Sequence, residues 1–327
     1  MKTFTELMNL LYHLPAEMID RLFTIAEEMQ AANPVQCVPC PYCGESNIIR
    51  YGKKCGKQRF LCKSCNRTFV TTTHTVMSHS RQSATTWRAV IADTIYGRSI
   101  DFTAQQLSLS HQCVFDMRHK ILTALEENAE TVLGGVTELD ETYVLDNYKG
   151  IKFAENSDRS PRKHGAVAEK SGLSQEYVCI CTGVERNGSA YACAVNRSKP
   201  SKQELQQALG EHVERGTLLL CDGLRGYTAL GEKTGCAVRD INTADDAERG
   251  FFNLNRANNF HSFIKQRYEA YRGVATKYLN RYNALLCAAY KAGKDEIEHL
   301  CQDFMEVGRK DRFLPIRLTR TSKLLAL

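Results

Sequence analysis

VTELDETYV, residues 136–144, is the stretch on which the fold turns, and TLLLCDGLRGY, residues 217–227, is its counterpart. Val136 to Val144 reads as a strand that carries Asp140, and Leu218 to Cys221 reads as a buried strand ending at Asp222. A carboxylate beside a buried strand is costly unless it is paired or binds a cation. Adjacent strands of one sheet would bring Asp140 and Asp222 to a single hard cation with oxygen ligands, as Mg²⁺ prefers. Ordinary strand-end or helix-capping acids are the alternative on position alone. Side-chain alternation sends Glu141 to the opposite side of the strand from Asp140.

Outward from these strands the pattern is α/β. Tyr177 to Val184 and Ala190 to Val195 form an apolar hairpin through Arg186-Asn187-Gly188. Ser201 to Val213 is spaced as a helix, Ala237 to Ile241 as a short strand, and a long helical region begins at Phe252. Within FFNLNRANNFHSFIK, residues 251–265, Asn258, His261, Ser262 and Lys265 fall along one helical stripe. Asn258 could offer a carbonyl oxygen to a metal and Lys265 could hold a DNA phosphate; a plain polar face is the other reading. The polar, basic stretch between Tyr148 and Ser174 reads as an exposed loop over a site.

Upstream lie two further patterns. Residues 80–127 read as helices: Ser83 to Tyr96, a short helix with Ala104 and Leu107 inward, a turn near Leu109-Ser110, and a helix with Val114, Phe115 and Arg118. That layout matches a helix-turn-helix, which many three-helix bundles share. His119 on the last helix reads as a surface or phosphate contact. Before it, Cys40-Pro-Tyr-Cys43 and Cys62-Lys-Ser-Cys65, eighteen residues apart, look like a zinc ribbon. Ile48 to Gly52 and Gln58 to Leu61 supply its strands, and Cys37 and Cys55 break the pairing pattern. Seven Lys or Arg and no acid lie between Arg50 and Arg67, a positive face suited to phosphates, to solubility or to docking on protein. The first 35 residues, with five acids and two bases, are spaced as helices ended by Asn33-Pro34.

Composition bounds the rest. The chain has 327 residues, enough for two or more folding units, and a net charge of +6 that hints weakly at a polyanionic partner. Fourteen cysteines without a signal peptide argue against a disulfide framework. The longest apolar run, around Leu285 to Tyr290, falls far short of the roughly 18 residues of a membrane span. A soluble, cytosolic protein with no membrane partner is expected.

The CPYC and CKSC pairs, the ELDETYV and LCDGLRGY strands, and NRANNFHSFIK followed by YRGVATKYLNRY together resemble a known family. It is the DDE-type insertion-sequence transposases, in particular the IS fifteen-ninety-five-like group with an N-terminal zinc ribbon and helix-turn-helix. The resemblance covers roughly residues 37–290. With the patterns at the two ends it gives a multidomain chain: a helical segment (1–36), a zinc ribbon (37–72), a helix-turn-helix DNA-binding domain (80–128), an α/β RNase H-like core (130–290), and a helical, basic tail (291–327). It also implies a catalytic set of Asp140, Asp222 and Asn258 around Mg²⁺ or Mn²⁺, and structural Zn²⁺ on Cys40, Cys43, Cys62 and Cys65. Lys53, Lys54, Lys57, Arg59, Arg118, Lys120 and Lys265 are the expected DNA contacts. The partners would be double-stranded DNA, as element ends and target, and further copies of the chain as a homodimer or larger assembly.

Most DDE enzymes have Glu at the third position, where this chain has Asn258, as some members of the group do. An amide brings no negative charge, so its grip on a metal should be weaker. Asp245, Asp246, Glu248 and Glu269 are nearby acids, but only Asn258 fits the motif register. Three activities follow: a transposase, a non-catalytic DNA-binding regulator or domesticated derivative, and a plain metal nuclease. The tail from Arg309 to Lys323, with six bases and one acid, suits a phosphate contact or a solvated end.

Overall fold

The computed structural model describes residues 18, 21, 39–54, 56–149, 168–169, 172–223, 225–241, 251–293 and 297–306. The rest of the N-terminal segment, Cys37, Cys55, most of the loop expected before Ser174, Asp245, Asp246, Glu248 and the basic tail beyond Glu306 lie outside them. The chain divides into two compact units, Met1–Thr73 and His74–Leu327.

In the first unit β1 (Ile48–Lys54), β2 (Lys57–Cys62) and β3 (Thr68–Val70) form an antiparallel sheet in that order. The third strand was not expected. It brings Phe69 onto Phe60, with ring centres 5.6 Å apart, and the two rings join Cys40 and Cys62 in a small core. Six flanking cations, Arg50, Lys53, Lys54, Lys57, Lys63 and Arg67, are exposed.

The second unit begins with α1 (Ala84–Ile95), α2 (Ile100–Gln106) and α3 (His111–Glu127). Each starts where a serine side chain accepts a first-turn amide: Ser83 from Thr86, Ser99 from Phe102, Ser110 from Cys113. Such caps satisfy donors that the helix itself leaves free.

A five-stranded mixed sheet follows, built from β4 (Val136–Leu145), β5 (Tyr177–Glu185), β6 (Ala190–Arg197), β7 (Leu218–Cys221) and β8 (Ala237–Asp240), in the order β6-β5-β4-β7-β8. The first three strands are antiparallel neighbours, and β7 and β8 run parallel to β4. α4 (Lys202–Leu209) is shorter than the spacing of Leu205, Leu209 and Val213 suggested, because Gly210 ends it. α5 (Arg225–Thr234) was not expected at all. The long C-terminal helical region is two helices, α6 (Asn255–Ala270) and α7 (Leu279–Ala292), followed by α8 (Ile297–Glu306).

Strand alternation sorts these helices onto two faces. Leu139, Cys179 and Cys181 pack against Leu205, Leu209, Tyr227 and Leu230 of α4 and α5. Val178, Ile180 and Val184 pack on the other face with Phe260 and Ile264 of α6 and Leu285 and Leu286 of α7. β5 is thus buried on both sides, which is why it reads as an unbroken apolar run. Trp87, Val90 and Ile91 of α1 and Met117, Ile121 and Leu122 of α3 belong to that same α6–α7 core. The helices expected to stand apart as a DNA-binding domain therefore share one core with the sheet.

Candidate active site

Register builds the site. β7 pairs with β4 through Val136–Leu218, Thr137–Leu219 and Glu138–Leu220, and then ends at Cys221. Counting on, Asp222 lies level with Asp140, just where β4 loses its neighbour on that side. Gly223, at φ +84°, turns the chain away immediately afterwards, in a backbone region that favours glycine. As a result one oxygen from each of Asp140, Glu141 and Asp222 lies within 4.8 Å of the others.

The inclusion of Glu141 corrects the sequence reading. Its side chain does leave β4 toward α5, where the Tyr227 hydroxyl donates to Oε1 at 2.6 Å. Beyond Glu138, however, the strand edge is open on the β7 side, and the longer glutamate side chain reaches round that edge to the aspartates. Alternation fixes where Cβ points, not where a three-bond side chain ends.

Asp140 is raised to about 6, chiefly by burial and further by Asp222, against the lowering effects of the Glu141 amide and Lys265. Glu141 is raised to about 7 by burial, opposed by the Tyr227 hydrogen bond and reinforced by Asp222 and Asp140. Crowded carboxylates that resist ionisation are the condition a divalent cation relieves, and hard oxygen donors suit Mg²⁺ or Mn²⁺.

α6 supplies the opposite wall. Thr182, paired with Asp140 across β5, donates its hydroxyl to the Asp140 carbonyl at 2.8 Å and lies 2.7 Å from His261 Nε2. With its own proton so committed, Thr182 accepts from Nε2–H, and His261 turns Nδ1 toward Asp140 Oδ2 at 3.7 Å. Burial, then Lys265, lowers His261 to about 4, so the contact is not an ion pair at neutral pH. Asn258 is exposed one turn before His261, and Lys265 is exposed one turn beyond it. Glu269 is exposed further along the same helix and is not in the carboxylate cluster.

The four expected zinc ligands also converge. Cys40 and Cys65 sulfurs are 3.6 Å apart, as are those of Cys43 and Cys62, and all four lie within 4.8 Å of one another. Tetrahedral ligands at a Zn–S distance of about 2.3 Å sit roughly 3.8 Å apart, so the thiols fit that ion. The Cys62 thiol is lowered to about 6, mainly by the Cys65 backbone N–H, against the effect of burial.

The expected DNA contacts divide. Lys53, Lys54, Lys57 and Lys265 are exposed. Arg59 is half-buried, stacked over Tyr51 and bonded to its carbonyl at 3.0 Å. Arg118 and Lys120 are a correction, because both are buried. Arg118, 1% exposed, donates to Thr94 Oγ1 and the Arg98 carbonyl and lies over the Tyr271 ring. Lys120 donates to the Ser78 carbonyl and lies over Trp87. His119 is buried too, its ring between Phe115 and Tyr278, and burial with Arg281 nearby lowers it to about 3. Packing against α1, α2 and α7 covers α3 from Met117 to Leu125.

Residues 132–286 match the family model described as the ISXO2-like transposase domain. A protein of Halobacterium salinarum, described as an uncharacterized protein in transposable element ISH50, is 25% identical over 292 residues, spanning 85% of this chain and 97% of that protein. Among solved structures, the Mos1 strand transfer complex is similar at 15% identity and a TM-score of 0.28, over 65% of this chain and 74% of that one. A simian T-cell lymphotropic virus intasome is similar at 8% identity and a TM-score of 0.29, over 60% and 66%. Likenesses that distant do not place the fold. Among the described residues no helix is long and apolar enough to cross a membrane.

Proposed function

We propose that this chain, which carries an ISXO2-like transposase domain over residues 132–286, is a DNA transposase that cuts and joins the ends of its own insertion sequence. The observation that carries the reading is the convergence of Asp140, Glu141 and Asp222 within 4.8 Å at the open edge of β4. The strand order, three antiparallel strands with two parallel ones beside the first, supports an RNase H-like core.

Asp140, Asp222 and Glu141 would hold Mg²⁺ or Mn²⁺, with the Asn258 carbonyl as a neutral donor from α6. A divalent cation supplies Lewis-acid stabilisation of a phosphodiester and lowers the pKa of a bound water or hydroxyl. Lys265 is placed to hold a DNA phosphate beside the acids. His261 and Thr182 fix the Asp140 backbone against α6. Hydrolysis at each element end frees a 3′-hydroxyl, which then attacks a target phosphodiester in line. No covalent protein–DNA bond forms.

The exposed cations around β1 and β2, steadied by zinc on Cys40, Cys43, Cys62 and Cys65, and the first turns of α2 and α3 would bind the terminal repeats. Cutting two ends together requires two or more copies of the chain on DNA, in the cytoplasm. Asn258 favours the second reading, a regulator without chemistry, because it withdraws the third carboxylate from the motif. Glu141 restores that charge from β4.

The deciding experiment incubates zinc-loaded protein with Mg²⁺ or Mn²⁺, DNA flanking its own gene and a target plasmid, with Asp222→Ala alongside. Metal-dependent joined products that vanish in the variant are the expected result. Tight binding without cleavage or joining would leave the regulator, and cleavage without joining the nuclease.

A further inference from the structure

Three helices before the sheet, and α4 within it, begin on a serine; α6 does not. Its N-cap is Leu254, whose side chain makes no capping hydrogen bond. The amides that such a cap would serve, those of Arg256 and Ala257, instead donate to one oxygen of Glu138, at 2.8 and 3.0 Å. Glu138 lies on β4, more than a hundred residues away in sequence, and is fully buried. A carboxylate at this position satisfies two free donors and meets the positive end of the helix dipole.

Its second oxygen, Oε1, forms an ion pair with Arg186 Nη2 at 3.0 Å. The same guanidinium donates to the Phe251 carbonyl at 2.6 Å and the Asn253 carbonyl at 3.3 Å, and stacks over the Phe251 ring. Arg186 is itself fixed at the β5–β6 turn by its amide, which donates to the Val136 carbonyl. Glu138 and Arg186 thus hold both the first turn of α6 and the chain that enters it.

We infer that Glu138, with Arg186, is a positioning residue for the active site. Glu138 and Asp140 share a face of β4, two residues apart. One grips the start of α6, and the other meets His261 on the same helix. Asn258 follows the capped Ala257 directly. The axial position and rotation of the Asn258–His261–Lys265 stripe relative to Asp140 are therefore set by a carboxylate on the very strand that carries Asp140. A local serine cap would start the helix equally well but would not tie it to that strand. Glu138 touches neither metal nor DNA; it acts through α6.

The inference rests on the proposed chemistry for its kinetic half only. The test compares full-length, zinc-loaded wild type, Glu138→Gln, Arg186→Gln and Ser201→Ala. The last removes the local cap of α4, and so reports on cap loss without a link to β4. Joining of a pre-cut element end is measured at saturating DNA and Mn²⁺, with Mn²⁺ affinity by electron paramagnetic resonance and amide exchange across residues 251–265.

The expected result is joining slower by about ten- to a hundredfold in Glu138→Gln, with KM for DNA held, Mn²⁺ affinity weakened by less than the rate, and exchange at 251–265 raised. Arg186→Gln moves the same way, and Ser201→Ala leaves the rate unchanged. Wild-type joining rates in folded Glu138→Gln, or a loss no greater than that of Ser201→Ala, overturn the inference. If Glu138→Gln does not fold, Arg186→Gln decides on the same criteria. If wild type neither cuts nor joins, the transposase reading fails, and the exchange data decide the clamp: unchanged protection at 251–265 overturns it.

Discussion

Two clusters of metal-ligating side chains lie among the described residues, and they are assembled in opposite ways. The four thiols come from two short turns, each closed by its own backbone bonds, such as Gly44 N–H to the Cys40 carbonyl and Asn66 N–H to the Cys62 carbonyl. Around them the apolar core is slight: Phe60, Phe69 and the cysteines themselves. The three carboxylates come from β4 and the end of β7, with β5, β6 and α4 between them in the chain, and rest on a large core that closes without them. One cluster organises its surroundings, whereas the other is organised by them. Metal removal should tell them apart.

The largest effect should follow removal of zinc. Structural zinc sites are worth about 10–16 kcal/mol in apparent folding energy, more than this small sheet can supply from its own core. Chelation, or Cys62→Ser, is expected to open residues 39–73 to protease while emission from Trp87, the single tryptophan, stays unchanged. A shift in Trp87 emission on chelation would break the comparison.

Asp222→Ala is expected to reverse that pattern. Joining should fall about a thousandfold or more, corresponding to ~4 kcal/mol of lost transition-state stabilisation. The melting temperature should hold or rise, because a repelling charge is gone. Unfolding by this substitution would mean that the acids are structural.

Glu141→Gln sharpens the carboxylate side. Mn²⁺ binding, measured by titration calorimetry, should weaken about tenfold, or ~1.4 kcal/mol, and by more than in Asn258→Ala. The reverse order would return the third position to Asn258.

Stability against pH should change as well. Asp140 at about 6 and Glu141 at about 7 both stand above their ordinary values, so the folded chain binds these protons more tightly than the unfolded one. Their contribution is full below about pH 4 and is lost as pH rises toward 7. Without Mg²⁺, wild type should therefore lose stability relative to Asp140→Asn/Glu141→Gln between those limits, by up to a few kcal/mol. Adding Mg²⁺ at pH 7.5 should return part of the loss. Parallel melting curves across this range would show that the acids do not repel.

What could be read from the sequence follows the same division. The CxxC turns are local, so spacing alone located Cys40, Cys43, Cys62 and Cys65. The apolar strands around Asp140 and Asp222 were legible for the same reason. Glu141 was misplaced because its partners depend on where β7 stops pairing, which is a fact of register between distant segments. α5 escaped notice because RGYTALGEKT carries two glycines, and Gly231 is demanded by the close approach of Val238 on β8, which leaves no room for a Cβ. Arg118 and Lys120 looked like surface cations because their partners, Thr94, Arg98 and Ser78, come from other segments. Glu138 carried no signal at all: an acid in a strand does not disclose the helix that it will cap.

The burial of α3 has a mechanical consequence. From Met117 to Leu125 the helix is embedded in the core that also grips α6 and α7, and only its first turns and the Glu126–Glu127 end reach solvent. Any DNA contact made at that tip would act on the end of a strut with no hinge between it and the catalytic wall. Torque from a bent or mis-phased element end would reach α6 as strain, not as domain swivel. On the proposed reading, the angle at which DNA approaches would then matter as much as its base sequence.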